Sequence, residues 1–366
     1  MSTGFNDDQV QFQEVVGRFL ADKSPPSAVR TLMDSESGYD QDVWRQLSGE
    51  VGLAGTHLPE TYGGFGFGPV ELGIVSREMG RYLYCGPYFA SAVMASYALL
   101  NAAAEDHKQR LLPEMAAGTT IAALVLDNLS DVALVGQQVR AQGEVLSGVA
   151  RTVVDAHVAD VLIVAAGTNA GVALYEVAPK DVEIVVQRAL DPTRKLASVR
   201  FSDTPARALC AAGEAQLPLL WDQMCVALAN EMVGGADHLF TTTIDYMKMR
   251  VQFGRTIGSF QALKHRCADL LLELELAKAM AEEASFYLAS GEGDAFAANT
   301  AKAMASDAYM SVARQAIQLR GGIGFTWEED THLWFKRAKA SEVFLGTSNW
   351  HREQMIQRME ADHVAA

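Results

Sequence analysis

Residues 246–254 read Tyr246-Met247-Lys248-Met249-Arg250-Val251-Gln252-Phe253-Gly254, and this stretch guides the interpretation of the whole chain. It closes a long apolar-periodic run typical of a helix. The Arg250 guanidinium offers a planar fork of five donors that matches pyrophosphate oxygens, and Gln252 adds an amide two residues later. Phe253 is suited to lie against a cofactor, and Gly254 allows a sharp turn. The alternative is an ordinary helix-end arginine, stabilised by the local carbonyl dipole.

Two further stretches carry glycine pairs. His57-Leu58-Pro59-Glu60-Thr61-Tyr62-Gly63-Gly64 is typical of a turn, and Gln318-Leu319-Arg320-Gly321-Gly322-Ile323-Gly324-Phe325 follows a helical run. Gly321 and Gly322 would let backbone N–H groups approach a phosphate or an adenine closely. A simple helix cap is the alternative reading of this pair.

Composition limits the classes of function. The chain has 366 residues, 49% of them hydrophobic, and a formal net charge of -15. That charge argues against nucleic acid and anionic membrane as partners, and no apolar run is long enough to span a bilayer. The four cysteines are far apart and form no CxxC pair. We therefore expect no metal site, and a protein of the reducing cytoplasm.

The pattern along the chain predicts a mainly α protein with a β domain. Helical periodicity fills residues 1–118, short strand-like runs fill 119–211, and helices return over 212–366. The strand-like runs are Ile121–Leu126, Val161–Val164, Val172–Tyr175, Val182–Val186 and Ser198–Phe201. The long C-terminal helices are expected at Leu217–Arg250, Ser259–Ala289 and Ala295–Arg320.

Together these stretches resemble the acyl-CoA dehydrogenase family, with its PExYGG turn, YxxxRxQFG helix end and QxxGGxGY segment in the same order. The resemblance implies an N-terminal helical domain, a middle β-barrel domain and a C-terminal four-helix bundle. It implies FAD held between subunits of a dimer or tetramer, and an electron-transfer flavoprotein or a similar acceptor. It also implies a reaction in which a carboxylate removes the α-proton of an acyl-CoA thioester while the β-hydride passes to the flavin.

The resemblance carries the family's cofactor contacts onto this sequence residue by residue. In the family, the RxQF and QxxGG elements reach across the subunit interface to a neighbour's FAD. The implied cofactor-binding residues are Arg250, Gln252, Phe253, Gln261, Gln318, Gly321, Gly322 and Thr347.

The family's catalytic base is missing from both of its usual positions. The YEGTSEIQ segment, whose Glu is the base, reads Phe344-Leu345-Gly346-Thr347-Ser348-Asn349-Trp350-His351 here, so Leu345 occupies that position. The second known position, about 22 residues before Tyr246, is Met224. Neither side chain can accept a proton. Thr152 and Val154 also replace the Trp and Thr that contact the flavin ring in the family.

These losses predict a heteromeric enzyme, in which this chain completes the FAD site of a base-bearing partner subunit. Such chains resemble the base-lacking subunits of actinobacterial heteromeric acyl-CoA dehydrogenases of the steroid side-chain type. Two alternatives stay open. The chain could form a self-sufficient homo-oligomer with a relocated base, for which Glu231 and Glu342 are weak candidates. It could also be a non-catalytic scaffold that binds FAD or acyl-CoA.

Overall fold

The computed structural model describes residues 4–292 and 296–365. The chain forms two compact units. The first comprises Met1–Ala28, Gly73–Tyr84 and Cys225–Ala366, and the second comprises Val29–Leu72 and Cys85–Met224. The domain limits predicted at residues 118 and 211 follow the sequence pattern rather than this division, and they stay a prediction.

The N-terminal region is helical. Its helices are α1 (Asp7–Lys23), α2 (Pro26–Asp34), α3 (Gln41–Arg45), α4 (Pro69–Arg81), α5 (Ser96–Ala102) and α6 (Glu105–Ala116). π-helical turns at Gln46–Glu50 and Tyr88–Ala95 continue α3 and lead into α5. Asn6 starts α1 with a capping box, in which its side chain accepts from the Gln9 backbone N–H and the Gln9 side chain accepts from the Asn6 backbone N–H.

The middle of the chain forms one curled eight-stranded sheet, where a β-barrel domain was expected. Its strands are β1 (Ala122–Val125), β2 (Val139–Gln142), β3 (Val145–Val154), β4 (Val161–Thr168), β5 (Gly171–Val177), β6 (Glu183–Gln187), β7 (Leu196–Pro205) and β8 (Arg207–Ala208). The order is β6-β7-β3-β2-β4-β5-β8, and β1 pairs with β4 in parallel. Its apolar face buries a core that includes Leu146, Leu162, Val199 and Phe201.

The C-terminal region is again helical, as predicted. Its helices are α7 (Leu217–Met249), α8 (Gln261–Ser290), α9 (Ala297–Arg320), α10 (Thr331–Val343) and α11 (Ser348–Ala365), and a short hairpin of β9 (Val251–Gln252) and β10 (Arg255–Thr256) separates α7 from α8. The long helices begin and end within two residues of prediction; Ala295, the predicted start of α9, lies outside the described residues. No helix of the described residues combines the length and apolarity that a membrane crossing needs.

Helix α9 packs against α8, α10 and α11, which gives the C-terminal region its bundle character. Helix α7 joins α8 through Asn230, whose amide donates to the Ala281 carbonyl at 3.4 Å and to Ser285 Oγ at 3.1 Å. It approaches α9 at Gly235, where a Cβ would lie 2.4 Å from Tyr309 Oη. A side chain at position 235 would therefore have to displace the Tyr309 ring.

Candidate functional site

The stretch that follows α7 is a tight hairpin. Helix α7 ends at Met249, one residue before its predicted end, and β9 pairs with β10 in antiparallel register. Phe253 and Gly254 form the two-residue turn, with φ angles of 55° and 75°. Two consecutive residues at positive φ correspond to a type I′ turn, which matches the twist of the flanking strands. The Gly254 predicted to turn the chain therefore does so.

Phe253 points away from the rest of the chain, and its side chain is 90% exposed. Positive φ is uncommon for an aromatic residue, so the turn holds this ring outward at some conformational cost. Its one ring neighbour among the described residues is Phe260, edge-on at 6.1 Å. The Arg255 guanidinium in turn stacks on Phe260 at 3.9 Å. The hairpin thus exposes the Phe253 ring, and the Arg250 side chain is exposed to solvent as well.

The Gly321–Gly322 pair follows α9 directly. Gly321 has φ 67° and ψ -143°, a conformation that is almost restricted to glycine. Gly322 has no left-handed φ, and a Cβ there would meet no atom within 4 Å. The described residues therefore give no steric reason for glycine at 322. A ligand or another chain that approached this backbone closely would supply a steric reason for glycine at 322. A dinucleotide lying against the backbone would be such a ligand.

One small core brings the hairpin and the glycine pair to the same end of the helical unit. The buried side chains of Met247, Ile257, Cys267 and Leu319 pack together, which joins the end of α7, the segment after the hairpin, the start of α8 and the end of α9. Tyr246 Oη also donates to the Arg320 carbonyl at 3.4 Å. Two motifs about 70 residues apart in sequence thus form one edge, which we call the hairpin edge (residues 246–261 and 318–325).

The polar side chains predicted to hold the cofactor are available on the hairpin edge. Arg250, Gln252, Gln261 and Gln318 are exposed, and their side chains have no hydrogen-bond or ion-pair partner within residues 4–292 and 296–365. Gln261 also lines an open groove of about 520 Å³ with Ser259, Lys264, His265 and Ala268. These groups suit the pyrophosphate and adenosine parts of FAD. They comprise the Arg250 guanidinium, three glutamine amides, Lys264 and the Gly321–Gly322 backbone.

The turn that carries the base in relatives has a different character here. Leu345 is fully buried and has a φ of 58°, and Gly346 follows with a φ of 92°. The Leu345 carbonyl accepts from His351 Nε2 at 2.9 Å and from Cys225 Sγ at 3.8 Å. Met224 is fully buried as well. Both usual base positions therefore hold apolar side chains without access to solvent.

A buried polar group beneath this turn was missed from the sequence. The fully buried Lys302 ammonium donates to the Gly346 carbonyl at 3.1 Å and to Ser306 Oγ at 3.0 Å, and burial lowers its pKa to about 8. Burial, reinforced by the Lys302 charge, lowers the pKa of His351 to about 3, and the second ring nitrogen, Nδ1, lies 2.9 Å from Asn299 Oδ1. The sequence signal for this contact is Lys302 four residues before Ser306 in the alanine-rich α9. That spacing places both side chains on one face of the helix.

Thr347 lies at the start of α11, not on the hairpin edge. It is exposed, and its Oγ1 accepts from the Trp350 backbone N–H at 3.2 Å. That bond caps the first turn of the helix. The predicted cofactor residues thus divide into seven on the hairpin edge and Thr347 in the turn held by Lys302 and His351.

The two carboxylates considered as relocated bases both form ion pairs. Glu231 Oε1 accepts from Arg337 Nη1 at 2.9 Å, and the two side chains are only 6% and 4% exposed. Glu342 pairs with Lys339 one turn earlier on α10, in a setting more open to solvent. Glu231 is thus engaged by a buried guanidinium, and Glu342 is engaged by a lysine of its own helix.

The residues that replace the family's flavin-contacting Trp and Thr lie in strand β3, and Asp127 lies between β1 and β2. Val154, at the position of a flavin-contacting Thr in relatives, is buried at the end of β3, and Thr152 is half-buried. Asp127 accepts backbone N–H bonds from Gly136, Gln138 and Val139, at 2.8, 2.6 and 2.8 Å. Its carboxylate is therefore engaged in holding the loop before β2.

Comparison with known proteins gives a consistent result along the chain. The family models for the acyl-CoA dehydrogenase N-terminal and C-terminal domains match residues 6–119 and 222–360. Acyl-CoA dehydrogenase IpdE2 of Mycobacterium tuberculosis (strain ATCC 25618 / H37Rv) is 34% identical over 357 residues, which cover 97% of each chain.

Two solved structures share the fold over almost the whole chain. A variant of the Tcur3481-Tcur3483 steroid ACAD has a TM-score of 0.88 and 26% identity, and the alignment covers 98% of this chain and 99% of that one. The ChsE4-ChsE5 complex from Mycobacterium tuberculosis has a TM-score of 0.89 and 23% identity at the same coverage. With these matches and the three-part architecture, the chain belongs to the acyl-CoA dehydrogenase family, whose cofactor is FAD.

Proposed function

We propose that this chain is a subunit of an FAD-dependent acyl-CoA dehydrogenase, and that it completes the FAD site of a base-bearing partner subunit. The carrying observation is a contrast between what the hairpin edge keeps and what the two base positions lack. The hairpin edge carries exposed donors suited to a dinucleotide, and their side chains have no hydrogen-bond partner in the part of the chain that the structure describes. Both base positions, Leu345 and Met224, are buried and apolar. The chain thus keeps what a neighbour's cofactor would use and lacks what its own reaction would need.

The chemistry divides between the two subunits accordingly. The α-proton of an acyl-CoA thioester is too weakly acidic for water to remove, so a positioned carboxylate is required, and the partner provides it. When FAD is bound, it would accept the hydride that leaves the substrate. In this chain, Arg250 and Gln252 would hold the pyrophosphate of FAD. Phe253, Gln261, Gln318 and the Gly321–Gly322 backbone would complete the site for its adenosine diphosphate half. Thr347 remains a candidate hydrogen-bond donor to a flavin.

Relatives support a heteromeric assembly and a bulky acyl group. One neighbour's name describes a two-protein steroid enzyme, and another is a complex of two named proteins. By this analogy the substrate is an acyl-CoA with a steroid-like acyl chain, and electrons leave to an electron-transfer flavoprotein or a similar acceptor. Four free thiols without a disulfide among the described residues are compatible with the cytoplasm as the place of action.

The test is co-expression with base-bearing acyl-CoA dehydrogenases from the same genome, followed by flavin absorbance and native mass of the purified proteins. We expect the lone chain to be nearly colourless, and a mixed complex to be yellow. Arg250→Ala should remove most of the flavin from that complex, whereas Arg45→Ala, which changes an exposed arginine of α3, should not. A yellow homo-oligomer of the lone chain would refute partner dependence.

A further inference from the structure

Arg320 is a buried cation at the last position of α9, next to the Gly321–Gly322 pair. Its guanidinium donates from Nε to Glu329 Oε1 at 2.9 Å, and from Nη1 to Thr243 Oγ1 at 2.7 Å and to the Ala316 carbonyl at 3.2 Å. Nη2 donates to Thr242 Oγ1 at 3.2 Å. The side chain is only 4% exposed, so these bonds replace its hydration.

These contacts join three segments with one planar group. Thr242 and Thr243 belong to the last two turns of α7, Arg320 ends α9, and Glu329 lies in the segment that leads into α10. Glu329 is fixed further by Thr331, whose hydroxyl donates to it at 2.7 Å. The Tyr246 ring also lies 5.5 Å from the guanidinium, within cation–π range. A guanidinium can hold three segments at once because its donors diverge in a fixed plane.

The joined segments are those that carry the two halves of the hairpin edge. Arg250 follows Thr243 by seven residues, and the Arg250 backbone N–H donates to the Tyr246 carbonyl at 2.8 Å. On the other side, Gly321 is the next residue after Arg320. Burying an arginine is costly unless its geometry and partners are well satisfied. The Arg320 contacts thus fix the spacing between the Arg250 fork and the glycine pair.

We propose that Arg320 is a positioning residue for the adenosine diphosphate half of FAD. It holds Arg250 and the Gly321–Gly322 backbone at the separation that a pyrophosphate and an adenosine require, without touching the cofactor itself. This inference rests on the proposed function, because it assumes that the hairpin edge binds the partner's FAD.

The test uses the co-expressed complex after removal of its flavin, with FAD affinity measured by fluorescence quenching and ADP as a competitor. Arg320→Lys keeps the positive charge but cannot reach three segments together. We expect it to raise the FAD Kd and the ADP inhibition constant by the same factor, about tenfold, for the loss of roughly one charge-assisted bond. The absorbance spectrum at saturating FAD and the native mass should not change, because the flavin ring is bound elsewhere.

A second variant guards against misfolding. Thr243→Val preserves side-chain volume and removes one acceptor, and we expect a smaller rise in the FAD Kd, about threefold, with the same unchanged spectrum. An unchanged FAD Kd in both variants would overturn the positioning role. So would a flavin spectrum or native mass that shifts together with the Kd, because that pattern indicates general loosening. If Arg250→Ala also leaves the FAD Kd unchanged, the proposed function fails. If the FAD Kd is unchanged only in the Arg320 and Thr243 variants, the positioning role alone fails.

Discussion

At the scale of single residues, burial separates the two carboxylates considered as bases. Glu231 faces Arg337 with both side chains almost fully buried, whereas Glu342 and Lys339 form a pair near the surface. Glu231→Gln should therefore lower the free energy of unfolding by about 3 kcal/mol, because it removes the negative charge that faces the buried Arg337 guanidinium. Glu342→Gln should change it by about 1 kcal/mol at most. Urea unfolding of both variants measures the difference.

The same pair of variants also tests the idea of a relocated base. A catalytic Glu231 would give a Glu231→Gln protein with nearly normal stability and no turnover in a flavin-loaded complex. A structural role for the Glu231–Arg337 ion pair requires the stability loss instead. If Glu231→Gln unfolds at the wild-type urea concentration, the buried ion pair is not what keeps Glu231 in place.

Lys302 makes stability depend on pH in an unusual direction. Burial lowers its pKa in the folded chain to about 8, below the ordinary lysine value of 10.5. Between these values the unfolded chain binds more protons, so stability rises with pH. Between pH 7.5 and 9.5 the wild type should gain about 2 kcal/mol relative to Lys302→Met, which cannot titrate. Urea unfolding of the two proteins at both pH values measures this gain, and parallel pH profiles would contradict it.

At the scale of elements, the hairpin after α7 shows how local strain and function can be separated. Phe253 holds a positive φ and packs only at its edge, so glycine would adopt the turn without steric cost. Phe253→Gly should keep the unfolding free energy of the lone chain within about 1 kcal/mol, because relief of strain offsets the added chain entropy. The flavin content of the mixed complex should nevertheless fall, as absorbance will show.

The matched control for this variant is Gly254→Ala, the other residue of the turn. It places a Cβ at φ 75° with open space around it, so its cost comes from the backbone alone. We expect it to destabilise the lone chain by about 1 kcal/mol. Retention of full flavin content in Phe253→Gly would show that the ring does not contribute to the cofactor site.

The long helices were predictable because their apolar periodicity is continuous and their ends carry glycine signals. Strands β2 and β3 were missed. The pairing of β3 with β7 shifts register between Leu146 and Gly148 and again between Ala150 and Val153, which disrupts the alternation that marks a strand. The β9–β10 hairpin was missed because each strand has only two residues. Short or bulged strands leave too little periodic signal to detect.

The candidate site was predictable only in part. Arg250, Gln252 and the glycine pair belong to local motifs that can be recognised in the sequence, and their role in binding the cofactor stays a prediction. Arg320 and Lys302 did not stand out, because their roles come from long-range contacts. Arg320 meets Thr243 across 77 residues, and Lys302 meets Gly346 across 44. A charged residue buried by the fold resembles any surface residue until its partners are known.

At the scale of the whole molecule, the hairpin edge exposes several apolar side chains, although the chain carries a net charge of -15. Its exposed apolar side chains are Met249, Val251, Phe253, Ile323 and Phe325. Several exposed apolar side chains on one edge of a protein favour a contact with another protein. In the proposed function, the same edge therefore holds the partner subunit as well as the partner's FAD.

Phe325 allows these two roles to be tested apart. Its side chain is 79% exposed, and it lies three residues beyond the glycine pair. Phe325→Ser should change the stability of the lone chain by no more than about 0.5 kcal/mol, because little packing is lost. It should weaken assembly with the base-bearing partner about tenfold or more, as expected for an aromatic anchor. Native mass measured over a dilution series determines this shift. If Phe325→Ser assembles like the wild type while Arg250→Ala still loses flavin, the edge binds the cofactor but the partner is held elsewhere.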